Sequence, residues 1–167
     1  MSGIIFLIQD NGKSMELNEQ AYDSESLLQS LLAQYPKLLA GDQINSEAPR
    51  RWLLISQEDS LPSEENGGGR WAVDHLFPDQ DAIPTLVEEK RSMDSRIRRE
   101  VVGQMLDYAA NAIVYWPVER IISLFEANCQ SQGLEPEQVL LDFLESEADS
   151  KEFWQKVKTN LQMGKIR

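Results

Sequence analysis

A chain of 167 residues with 41% hydrophobic and 26% charged side chains has the size and balance of one ordinary globular domain, which excludes a wholly disordered chain, a collagen-like repeat and a coiled-coil rod. One Cys and one His exclude an internal disulfide framework and argue against a structural zinc site. A formal net charge of −12 opposes a nucleic-acid backbone unless the charge is unevenly spread.

From the N-terminus, Ile4 to Ile8, the turn Asp10-Asn11-Gly12 and a run through Leu17 predict a hairpin, because Asn-Gly supplies the positive φ of a tight turn. Ile4 to Ile8 is too short for a membrane span and lacks the flanks of a signal peptide, so a cytoplasmic protein without a membrane partner is expected. Asp23-Ser24-Glu25 followed by Leu27, Leu28, Leu31, Leu32 and Tyr35 reads as a capped amphipathic helix ending near Pro36 or Gly41, its apolar stripe facing a core. Trp52 to Ile55 reads as a short apolar strand, and the polar stretch Gln57 to Gly69 as a mobile loop or wide turn.

Trp71 to Phe77 and Pro84 to Lys90 are predicted as neighbouring antiparallel strands joined by the turn chemistry of Pro78-Asp79-Gln80-Asp81. Ser95 to Ile113 carries helical periodicity, and Trp116-Pro117 breaks it. Three shorter helices follow: Val118 to Gln130 ending at Gly133, Pro136 to Leu144, and Ser150 to Leu161 ending at Gly164. The expected organisation is an α/β fold in a single domain over 1–167: a hairpin in 1–22, a core in 23–115 and a helical extension in 116–167.

Chemistry gathers in the middle of the chain. Asp74 lies inside an apolar strand, where an isolated carboxylate would cost several kcal/mol, on the order set by ion desolvation. In the next strand the period-two rule puts Glu88 and Lys90 on one face and turns Glu89 to the other. Two carboxylates from adjacent strands and a backbone carbonyl, that of Glu89, form the hard oxygen cluster that Mg²⁺ or Mn²⁺ prefers, with Lys90 near a water or phosphate. Taken separately, the same residues read as edge-strand surface charges or a structural ion pair.

The following helix sets Arg96, Glu100, Gln104 and Tyr108 at successive i, i+4 steps along one stripe. Charge is concentrated at its start: residues 90–99 carry five basic side chains and one acid, whereas residues 1–89 carry five and sixteen. That cationic island falls at the mouth of the proposed metal site, where Arg96 and Arg99 would position phosphates.

Asp74, Glu88-x-Lys90 and Gln104-xxx-Tyr108 together resemble the PD-(D/E)XK nuclease superfamily of restriction-endonuclease-like folds, in the branch with a QxxxY helix motif. The resemblance spans Glu25 to about Tyr108. It implies a core of a short mixed sheet flanked by helices. It also implies metal ligation by Asp74 and Glu88, with Lys90 acting on the water or scissile phosphate, and substrate contacts from Gln104 and Tyr108. Many members place a Glu of the first core helix close to the metal, and Glu25 stands there in this chain. Val73 occupies the place of the family's Pro.

The family core runs helix, three strands, helix, strand, and no strand is evident after the Ser95 to Ile113 helix, although Gly164 to Arg167 looks like the entrance to one. The chain resembles the N-terminal part of longer members, so a truncated or naturally shortened form is expected, its last core strand either missing or supplied elsewhere.

Two functions follow from these readings. The first is a Mg²⁺- or Mn²⁺-dependent nuclease hydrolysing phosphodiester bonds, in DNA rather than RNA. The second is a non-cleaving module of the same fold, its acidity and open sheet edge favouring a homodimer or a hetero-complex related to nucleic acid. His75 alternates away from Asp74 and reads as a core or interface histidine, Cys129 as a small buried residue, and Trp52, Trp71, Trp116 and Trp154 as packing. Gly67-Gly68-Gly69 leads into a strand without the downstream Lys-Ser or Lys-Thr of a phosphate-binding loop.

Overall fold

Strands β1 (Ile5–Ile8) and β2 (Ser14–Leu17) pair antiparallel, with Ile5 opposite Leu17 and Ile8 opposite Ser14. Gly12 at φ +76° supplies the left-handed residue of the turn. Both faces of this hairpin meet solvent, Phe6 being 58% and its neighbour Leu7 49% exposed, so its own ladder holds it together. The computed structural model describes residues 5–18, 24–61, 71–90, 100–145 and 149–167.

Helix α1 (Glu25–Gln34) starts as the sequence predicts, the Ser24 hydroxyl accepting from the Leu27 amide. Its buried face is narrower than expected: Gln29 and Leu32 are buried, while Leu27 and Tyr35 remain exposed. After a 3-10 turn at Pro36–Leu38 comes the single-turn helix α2 (Gly41–Ile44). A Cβ on Gly41 would lie 2.1 Å from the Arg50 carbonyl oxygen, so only glycine allows these two backbone segments to meet.

The second sheet has the order β3-β4-β5, all antiparallel, with β3 (Ser56–Leu61), β4 (Trp71–Pro78) and β5 (Pro84–Val87). This corrects the expected strand at Trp52 to Ile55. That segment runs beside β4, with Leu53 and Ile55 donating to Pro78 and Leu76 at 3.0 Å, but the assigned strand begins at Ser56. Residues Gln57 to Leu61, expected as loop, belong to it. Their polarity suits an edge strand, and they pair with β4 through the backbone ladder, Gln57 opposite His75 and Leu61 opposite Trp71.

Central β4 is covered on both faces: Val73, His75, Leu76 and Phe77 are fully buried, which explains its nearly continuous apolar run. The β4–β5 turn is built around the buried Asp79. Its Oδ1 accepts from the Asp81 and Ile83 amides at 3.0 and 2.9 Å, and Arg50 and Arg167 close on Oδ2.

Helices α3 (Val102–Tyr115), α4 (Val118–Ser131), α5 (Pro136–Phe143) and α6 (Ser150–Gln162) follow, and Trp116-Pro117 separates the first two as expected. The expected start of α3 at Ser95 lies outside the described residues. Tyr108 and Ala112 of α3, Ile121 and Phe125 of α4, and Phe153 and Val157 of α6 share one core with Leu76 and Leu86 of the sheet.

At the C-terminus, Arg167 donates to the Pro84 carbonyl at 2.9 Å and accepts from the Leu86 amide at 2.8 Å. This is the bonding pattern of a parallel pairing with β5, in keeping with the strand entrance expected at Gly164 to Arg167. The result is a mixed α/β protein with six helices and two small antiparallel sheets among the described residues. No helix there is long and apolar enough to cross a membrane.

Candidate active site

The β4–β5 register ends at His75 opposite Val87, so β5 is shorter than the predicted Pro84 to Lys90, and the residues of interest sit just past the ladder. Asp74 nevertheless remains joined to them, its Oδ2 accepting from the Glu89 amide at 2.9 Å. The alternation expected of an extended chain persists: Glu88 and Lys90 turn to one side, and the Glu89 side chain turns to the other, where its Oε1 meets His75 Nδ1 at 2.7 Å.

On the first side, Lys90 Nζ lies 2.7 Å from Glu88 Oε1. Gln104 Nε2, one turn above Tyr108 on α3, donates to the same oxygen at 3.1 Å and also to the Tyr108 hydroxyl. The four residues therefore form one chain of contacts from the strand end to the helix. Tyr108 is 2% exposed and belongs to the core, which fixes the helix face that presents Gln104.

The electrostatics of this cluster are asymmetric. Burial pushes the Glu88 carboxyl above its ordinary range, and the charge of Asp74 adds to that, outweighing the bonds from Lys90 and Gln104. Burial draws Lys90 down, but Glu88, then Asp74 and Glu25, together hold it above the ordinary lysine value. Both directions describe the same imbalance: several acids surround one ammonium, which favours its charge and leaves Glu88 under-compensated. Glu25, at the first turn of α1, thus lies close enough for its charge to act on Lys90.

A divalent cation suits these residues on two grounds. Glu88 Oε2 is buried without a hydrogen-bond partner, and the surplus of carboxylate over ammonium is relieved by added positive charge. The donor set is hard oxygen throughout. Among the described residues no group of three or more His, Cys, Asp or Glu side chains is gathered for a metal, so Asp74 and Glu88 need backbone oxygen or water to complete a coordination shell.

The predicted set is thus brought together at Asp74, Glu88, Lys90, Gln104 and Tyr108, with Glu25 nearby. Glu89 contributes its backbone to Asp74 and its side chain elsewhere. Arg96 and Arg99, and with them most of the cationic island, lie outside the described residues. The sequence reading correctly turned His75 away from Asp74 but missed its bond to Glu89. The signal lies in the β4–β5 register: with His75 opposite Val87, Glu89 is its diagonal neighbour on the same face. No family model, curated protein or solved structure matches the chain.

Proposed function

We propose that this chain is a metal-dependent nuclease domain with a restriction-endonuclease-like core, hydrolysing phosphodiester bonds in DNA in the cytoplasm. The observation that carries the reading is the meeting of Asp74, inside β4, with Glu88 and Lys90, just past the end of β5, while Gln104 and Tyr108 close the same cluster from α3. Asp74 and Glu88 would hold Mg²⁺ or Mn²⁺, aided by the Glu89 carbonyl and by Glu25. Such an ion supplies an acidified water and neutralises charge on the phosphodiester.

The chain's own residues do the rest. Lys90, kept protonated by its acidic neighbours, holds the attacking water or the scissile phosphate through its ammonium. Gln104 fixes the rotamer of Glu88 by donating to Oε1, leaving the unpartnered Oε2 for the ion. Arg96 and Arg99 would contact the substrate backbone. The direct test is Mn²⁺ titration of the whole chain. Asp74→Ala and Glu88→Ala are each expected to weaken binding at least roughly tenfold, and an affinity equal to wild type would end the metal assignment.

A second reading, a non-cleaving module that dimerises or joins a larger complex, is favoured by the outer edge of β5. Arg167 occupies that edge in parallel fashion. Beside it Leu86, Val102, Met105, Leu106 and Ile166 line an apolar groove of about 320 Å³, with Val102 56% and Leu106 66% exposed. An extended segment displacing Arg167 from β5 would cover both edge and groove. A stable oligomer by size exclusion, dispersed by Leu106→Glu, together with no cleavage of plasmid or single-stranded DNA, would favour this reading over the first.

A further inference from the structure

The segment that carries Glu88 and Lys90 has left the β ladder, and two bonds that tie it back to β4 converge on Glu89. Its amide donates to Asp74 Oδ2 at 2.9 Å. Its carboxylate meets His75 Nδ1 at 2.7 Å on the opposite face of the strand. Glu89 is 4% exposed and His75 is fully buried, stacked on Phe77 with ring centroids 5.4 Å apart.

This pair is not an economical way to fill a core. His75 Nε2 and Glu89 Oε2 are both buried without hydrogen-bond partners, and burial raises the Glu89 carboxyl even against its bond to His75. Two apolar side chains of similar volume would satisfy the same space without desolvating four polar atoms. What the polar pair supplies, and an apolar pair would not, is a directional link between the central strand and the residue flanked by Glu88 and Lys90.

We propose that His75 and Glu89 are positioning residues. Their bond draws the peptide at Glu89 against β4, so that its amide engages one oxygen of Asp74 and the flanking Glu88 and Lys90 are set on the opposite face at a fixed separation from Asp74. This inference rests on the metal-dependent reading above and adds the device that aligns its ligands. Neither side chain touches metal or substrate; each acts through the backbone between the two functional groups.

The test is the double substitution His75→Leu with Glu89→Met, compared with wild type and Glu89→Gln. The apolar pair is expected to match or exceed wild-type thermal stability while losing roughly tenfold or more in Mn²⁺ affinity. Glu89→Gln, whose amide still reaches His75, should restore most of that affinity. A role in packing alone would give the reverse, lower stability with unchanged affinity, and would overturn the proposal. Should the double variant not fold, Glu89→Ala read against Glu89→Gln makes the same comparison.

If wild type binds no Mn²⁺, the functional reading fails by itself. Hydrogen exchange then decides the positioning role: amides of Glu88 to Lys90 exchanging faster in Glu89→Ala, with α4 and α6 unchanged, support it, and unchanged exchange overturns it.

Discussion

Glu88 and Lys90 stand 2.7 Å apart on one face of an extended chain that has run past its last ladder pair, the carboxylate 4% and the ammonium stem 27% exposed. The ion pair is therefore unequal: Lys90 reaches solvent and three acids, whereas Glu88 is buried and leans on Lys90 and Gln104. A group buried this way brings little net stability, because its desolvation offsets the attraction of its partners.

That inequality has a pH signature. Glu88 and Glu89 both bind their protons more tightly folded than unfolded. Their contribution to stability is thus fully present below the ordinary Glu range, about 4.3, and is lost as pH rises through their raised folded values. Replacing Glu88 by Gln removes its share. Thermal denaturation of Glu88→Gln should give a melting temperature above wild type at pH 8 and close to wild type near pH 4; a variant less stable at pH 8 would contradict the burial argument.

Gln104 links the catalytic candidate to the core by donating to both Glu88 and Tyr108. Tyr108→Phe should cost about 0.5–1.5 kcal/mol. In a double-mutant cycle with Gln104→Ala, the coupling energy is expected near 1 kcal/mol, measured by urea denaturation. Strict additivity would mean that the two side chains act independently.

Glu145 follows α5 at φ +57°, a left-handed conformation that suits glycine. Its carboxylate pairs with Arg51 at the surface, being 69% exposed, and such a pair contributes little. Glu145→Gly should therefore stabilise the fold by about 0.5–1 kcal/mol, read as a raised denaturation midpoint. A lowered midpoint would show that the Arg51 contact outweighs the backbone conformation.

Much of this was legible in the chain because the determinants are local. Asn11-Gly12, Ser24, Trp116-Pro117 and Pro136 each act over a few residues, and the helices and hairpin appear where those signals put them. The alternation that turns Glu88 and Lys90 away from Glu89 is likewise local. What failed was non-local. Ser56 to Leu61 is polar and became a strand because β4 offered it a backbone edge, which no periodicity records. The His75–Glu89 bond required the β4–β5 register, fixed by the turn that Asp79 ties together rather than by either strand.

The central claim is that Lys90 acts in catalysis beside a metal held by Asp74 and Glu88. The most direct measurement is nicking of supercoiled plasmid with Mg²⁺ or Mn²⁺ by wild type and Lys90→Ala, each paired with its Mn²⁺ affinity. Cleavage lost by roughly a hundredfold or more, with metal affinity within about threefold of wild type, is the predicted result. Metal-dependent nicking that survives at the wild-type rate in Lys90→Ala would contradict it.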